Sequence, residues 1–174
     1  MFPERFDHQV HAWIRARRSA ETERVVRGFS QVGSSAVVLP LTAIAATTLV
    51  LRGKRHDGMR LIASAGLAAL TGLLLQHAFH RRRPREGRRE TSSSSFPSTH
   101  TLTATAAYST LGATLLRSEN VPERAAGVLV CGVLVPFVPA SRVILGMHWI
   151  SDVVGSAVIG GSIAATVCSI LPRD

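Results

Sequence analysis

At 174 residues the chain has room for one domain of ordinary size, and its 46% hydrophobic content is ordinary for a globular protein. Its 20 cations, all Arg except Lys54, outnumber 11 acids for a formal net charge of +9, yet the charge is packed into short blocks separated by nearly uncharged stretches. That distribution excludes intrinsic disorder and argues against a soluble fold. An Arg excess suits phosphate, because the guanidinium fork grips it through two donors at once. No nucleic-acid partner is expected, since a DNA- or RNA-binding domain has no use for long apolar runs. Cys131 and Cys168 lie in apolar stretches without neighbouring ligand residues and read as small core hydrophobes rather than a disulfide or zinc site.

In chain order, the first element is amphipathic: Phe6, Val10, Trp13 and Ile14 fall on one helical face, while Arg15, Arg17 and Arg18 project from the others. This pattern predicts a helix lying in the membrane interface, within a segment 1–31. No apolar core and cleavage site follow its charges, so it does not read as a secretory signal. Residues 32–51 form twenty uncharged positions, enough for roughly 30 Å of helix. A second run at 61–79 is flawed only by Gln76 and His77, and a third, at 153–171, is rich in small residues. Two weaker runs are the Thr- and Ala-rich 101–116 and the stretch 125–140, which carries Pro136 and Pro139. The predicted fold is all-α, an integral-membrane bundle of about five transmembrane helices over residues 32–174. Gly155, Ser156, Gly160 and Gly161 would let its helices approach closely. A soluble bundle is the bland alternative, and the three span-length runs weigh against it. The serines at 92–95 read as a flexible loop.

Three polar clusters interrupt the apolar pattern. The first is His80-Arg81-Arg82-Arg83-Pro84-Arg85, which alone would pass for a headgroup anchor. The second is Phe96-Pro97-Ser98-Thr99-His100, where Ser98 can cap a following helix whose free N–H groups make an anion site. The third is Ser141-Arg142, then His148, then Asp152. On a helix His148 and Asp152 would share a face one turn apart, so the carboxylate could take one ring proton and leave the other nitrogen free to attack. An ordinary ion pair between Arg142 and Asp152 is the plain alternative.

Together these clusters resemble the three signature motifs of the type 2 phosphatidic acid phosphatase superfamily, integral-membrane lipid phosphatases that share an active site with vanadium haloperoxidases. The third motif is met in full by Ser141, Arg142, His148 and Asp152. The second is met by Pro97, Ser98 and His100, with Thr99 where the family usually has Gly. The first is met by Arg83-Pro84, but Gln76 stands at the family's Lys position.

The resemblance implies hydrolysis of a lipid-linked phosphate monoester or pyrophosphate by a multi-pass enzyme of the cell membrane. In it His148 attacks phosphorus to form a phosphohistidine, Asp152 fixes the His148 tautomer, and His100 serves as acid and then base. Arg83, Arg142, Ser98, Thr99 and Gln76 would bind the phosphate, and His80, Arg81, Arg82 or Arg85 could make up the charge that Gln76 lacks. No cofactor is implied and no metal, since the sequence has neither an acidic cluster for magnesium nor a Cys/His set for zinc. A degenerate member that only binds phospholipid headgroups is the main alternative. A haloperoxidase, found on larger soluble chains, and a small channel or scaffold fit the residues less well. Counting spans places both motif loops on the side of the N-terminus. Thirteen cations lie there against seven opposite, which by the positive-inside rule puts the site in the cytoplasm.

Overall fold

The apolar runs fold as helices and the charge blocks become the turns between them. The computed structural model describes residues 4–86 and 93–174, and no strand occurs among them. The helices are α1 (Glu4–Arg17), α2 (Ala20–Ser30), α3 (Ser35–Leu51), α4 (Arg55–Ala78), α5 (Thr99–Leu116), α6 (Val121–Ile144) and α7 (Ile150–Ile170), with a 3₁₀ turn at Gln31–Gly33 between α2 and α3. Starts are set by capping side chains: the Ser19 hydroxyl accepts from the Thr22 amide at 3.0 Å, and Asn120 caps α6 ahead of Pro122.

Helices α4, α6 and α7 are long and apolar enough to cross a membrane, and the pair Ala20–Gly33 and Ser35–Leu51, bent by 45°, makes a fourth if it is taken as one span. Helix α5 falls outside that set for a physical reason. It is the central helix, with α3, α4, α6 and α7 packed around it and residues from Thr101 to Thr114 buried along its length. A helix screened from lipid needs small, close-packing side chains more than apolar ones, and its Thr and Ala content follows. Its Ala104, Ala107 and Tyr108 form one core cluster with Val38, Ala65 and Val138.

The weak run at 125–140 belongs to a longer helix than its prolines suggested. Residues Val130–Leu134 form a π turn just before Pro136, widening the helix where a proline would otherwise clash with the preceding turn. The small residues of α7 divide in use. A Cβ on Gly160 would stand 2.5 Å from the Leu102 carbonyl oxygen of α5, whereas one on Gly161 would meet nothing within 4 Å. Cys131 and Cys168 are free thiols.

One end of the bundle is tied by Arg60, whose guanidinium Nε donates to the Leu171 carbonyl at 3.2 Å, and by Arg52 with Glu123 at 2.8 Å. The other end gathers the close of α4, the starts of α5 and α7, the close of α6, and α1 and α2. Helix α1 turns Asp7 inward and leaves Phe6 and Trp13 exposed.

Candidate active site

His148 sits outside the helix on which its spacing from Asp152 would have placed it. Gly146, at φ +67°, turns the chain after α6, the Met147 amide folds back onto the Arg142 carbonyl at 3.0 Å, and α7 begins only at Ile150. The His148 ring is buried, with Nδ1 donating to the Ser95 carbonyl at 2.7 Å and Nε2 accepting from Arg83 Nη1 at 2.8 Å. Burial, aided by the neighbouring charges of Arg83 and Arg142, holds its pKa well below the ordinary histidine value. The ring is therefore neutral, with its proton on Nδ1 and a lone pair on Nε2.

Asp152 does not reach His148. It is the third residue of α7, and one carboxylate oxygen accepts from the Trp149 amide at 3.0 Å and from Ser95 Oγ, while the other accepts from Arg81. Ser95 thus joins the two: its hydroxyl is held by Asp152 and its carbonyl holds the His148 proton. The direct carboxylate–imidazole contact expected from an i, i+4 pair is replaced by a link through Ser95, because a residue at this helix position is drawn back to its own N-cap. The Arg142–Asp152 ion pair is likewise not formed. Arg142 donates to Ser30 Oγ at 2.9 Å, and Asp152 pairs with Arg81, which also pairs with the buried Asp7 of α1 at 2.5 Å. Asp152 is fully buried, so Asp152→Asn should cost roughly 1.5–3 kcal/mol of stability by weakening its charge-assisted bonds from Arg81 and Ser95, with Asp7 remaining as the carboxylate partner of Arg81. Thermal unfolding in detergent would register this as a fall in Tm; an unchanged Tm would contradict the network.

Arg83 is buried and clamps the loop between α4 and α5. Its Nε donates to the Ser93 carbonyl, and its Nη2 donates to Ser93 Oγ and the Ser94 carbonyl, each at 3.0 Å. Residues 93–95 of the serine run are therefore scaffold for Arg83 and His148 rather than a flexible loop; Ser92 lies outside the described residues. The cue in the sequence was the run's position between an arginine motif and a histidine motif, where hydroxyls and bare carbonyls are ready partners for a buried guanidinium.

A cavity of about 420 Å³ opens in front of these groups. Six of the eight expected site residues line it: Gln76, Arg83, Thr99, His100, Arg142 and His148. The other two stand behind its wall, fully buried. Asp152 is one. Ser98 is the other, and it is the N-cap of α5, its hydroxyl accepting from the Thr101 amide at 3.4 Å while its own amide donates to Ser156 Oγ at 2.8 Å. Gln76 donates to the Pro97 carbonyl at 3.3 Å, tying the end of α4 to the turn before α5. His80, Arg81, Arg82 and Arg85, the expected replacements for a missing lysine, instead line a second cavity of about 450 Å³ beneath Trp149, with Arg83 bordering both. The reason is local: Arg81 is drawn to two buried carboxylates, and the backbone on either side follows it. No group of three or more His, Cys, Asp or Glu side chains suited to a metal ion occurs among the described residues.

Known proteins resemble this chain. The sequence model of the PAP2 superfamily matches residues 57–174. Phosphatidylglycerophosphatase B of Bacillus subtilis (strain 168) is 29% identical over 141 residues, 78% of this chain and 68% of that protein. Decaprenylphosphoryl-5-phosphoribose phosphatase of Mycobacterium tuberculosis (strain ATCC 25618 / H37Rv) is 30% identical over 151 residues, 83% of this chain and 77% of that protein. Among solved structures, a transmembrane PAP2 type phosphatidylglycerolphosphate phosphatase from Bacillus subtilis superposes with a TM-score of 0.82 at 26% identity, covering 94% of this chain and 83% of that one. Aquifex aeolicus LpxE shares the fold, with a TM-score of 0.72 at 20% identity over 92% of this chain and 93% of its own. With all eight expected site residues inside the matched region, the chain belongs to the PAP2 superfamily.

Proposed function

We propose that this protein is a multi-pass cell-membrane phosphatase that hydrolyses a lipid-linked phosphate monoester or pyrophosphate through a phosphohistidine, without a metal. The observation that carries the reading is the neutral His148, whose Nε2 lone pair points at a guanidinium in the wall of a cavity that also holds His100 and Arg142. The names of the relatives, all lipid phosphatases, support the substrate class.

In this mechanism the phosphate enters between Arg83, Arg142 and the amino end of α5, and Arg83 keeps its proton while redirecting the hydrogen bond that caps Nε2 to a phosphate oxygen. His100 takes up a proton as the phosphate's negative charge offsets Arg83 and Arg142, and gives it to the departing lipid oxygen as Nε2 bonds to phosphorus in line and the P–O bond breaks. The imidazolium so formed keeps its Nδ1 proton on the Ser95 carbonyl, and Asp152 fixes that carbonyl through the serine hydroxyl. In the second step His100 draws a proton from water, the water oxygen bonds to phosphorus, and the P–N bond breaks to release phosphate. Arg83, Arg142 and the free N–H groups of α5 balance the charge on the equatorial oxygens throughout. Five spans fit this picture, with α3 to α7 each crossing once and α1 lying in the interface with Phe6 and Trp13 toward lipid. Residues 1–31 then form an interfacial segment and 32–174 the phosphatase domain, the site facing the arginine-rich side.

Detergent-solubilised protein should release phosphate from at least one of phosphatidic acid, phosphatidylglycerol phosphate and a polyprenyl phosphate or pyrophosphate. Vanadate, which mimics the five-coordinate phosphoryl group, should inhibit competitively, and EDTA should leave the rate unchanged. Activity lost in EDTA and restored by a divalent metal would overturn the metal-free mechanism. Headgroup binding with no release from any of these lipids would favour the degenerate reading that Gln76 allows.

A further inference from the structure

The family's first motif places a cation where this chain has Gln76, and the neighbouring arginines of that motif face the second cavity. The cavity of His148 nevertheless has a third arginine on its lining, and it comes from α2, outside the matched residues 57–174. Arg27 and Gln31 stand four apart and line the cavity together. Between them on the same side of the helix lies Ser30, fully buried, whose hydroxyl oxygen receives Arg142 Nη1 at 2.9 Å and the Ser141 hydroxyl at 3.0 Å. Helix α2 is thus pinned to the Ser-Arg pair of the third motif by the residue one turn from Arg27. Glu23, one turn earlier, accepts from Arg27 Nη2 at 2.9 Å and orders a guanidinium that is 43% exposed at the cavity rim.

Resting on the phosphatase reading above, we infer that Arg27 is a phosphate-binding residue of this site, supplying from α2 the positive charge that the motif position Gln76 lacks. A rim guanidinium that is 43% exposed can present an N–H edge to an arriving phosphate while Glu23 accepts from its Nη2, since the planar group carries five donors. The N-terminal helices are then part of the active site and not only a membrane anchor.

The test compares Arg27→Ala, Arg27→Lys, Glu23→Gln and Gln76→Lys with wild type, together with the double variant of Arg27→Ala and Gln76→Lys, on one accepted lipid in detergent. Arg27→Ala should lower kcat/KM by about tenfold or more, the scale of a lost charge-assisted contact, with Arg27→Lys intermediate. Glu23→Gln removes a carboxylate that orders Arg27 but leaves the cation, so its kcat/KM should fall clearly less than that of Arg27→Ala. Gln76→Lys should change the wild-type rate only modestly yet recover most of the loss in the Arg27→Ala background, which a merely structural role for Arg27 does not predict. A second readout needs no turnover: vanadate should raise the Tm of wild type and raise that of Arg27→Ala clearly less. A wild type that releases no phosphate from any lipid would sink the phosphatase reading, and the vanadate shift would still decide whether Arg27 binds the anion. Arg27→Ala equal to wild type in both readouts, or Glu23→Gln reproducing its loss, would overturn the inference.

Discussion

His148→Ala is expected to abolish phosphate release from any accepted lipid, because no other lone pair in the cavity is held in the same place. The variant should still fold. Arg83 loses one acceptor but keeps the Ser93, Ser94 and Met147 carbonyls and the Ser93 hydroxyl, so no buried charge is stranded. The result is read as phosphate release beside a size-exclusion profile and a Tm in detergent. Turnover above a trace in a well-folded variant would remove His148 from the nucleophile's role.

The second large effect belongs to Arg83, which faces the phosphate and also closes the loop on which Ser95 rides. Arg83→Ala should cost at least about 2 kcal/mol of transition-state stabilisation, or roughly thirtyfold in kcat/KM, the scale of losing a charge-assisted contact to a buried anion. It should also lower Tm, because the carbonyls at Ser93, Ser94 and Met147 lose their shared donor. Arg83→Lys separates the two: a lysine keeps the charge but cannot span three carbonyls, so Tm falls while part of the rate returns. If Arg83→Ala stays within about threefold of wild type, this residue does not bind the transferring group.

The roles expected of individual residues fared unevenly when the chain folded, and the reasons are local. The three motif clusters converge as their spacing implied, since each borders the end of an apolar run and those ends meet at one pole of the bundle. The relation of His148 to Asp152 was misread because counting four residues presumes a helix. Gly146 turns the chain after α6, and Asp152 at the third position of α7 is a favourable partner for the Trp149 amide, so a boundary falls between the two residues. Both signals stand in the sequence, but the spacing is equally compatible with either geometry. Ser95 is signalled only by the position of its run between two motifs, for part of its role depends on a carbonyl that every residue possesses. Asp7, Ser30 and Arg27 were hidden for another reason: they meet the site from more than forty residues away along the chain, and only packing puts α1 and α2 beside it.

The approach of α5 to α7 gives the chemistry a remote determinant. His100 is the second residue of the first of these helices and His148 lies two residues before the second, and their axes are drawn together by the Ser98 amide on Ser156 and, one turn further along, by Gly160 against the Leu102 carbonyl. Eight residues separate Asp152 from Gly160, about 12 Å of helix. A single methyl group at 160 would collide with main chain rather than with a yielding side chain, so the two helices would have to part and carry the acid and the nucleophile with them. The reach of a proton at one end of the protein is therefore calibrated by a missing carbon atom in its middle, at a position with no polar group to advertise it.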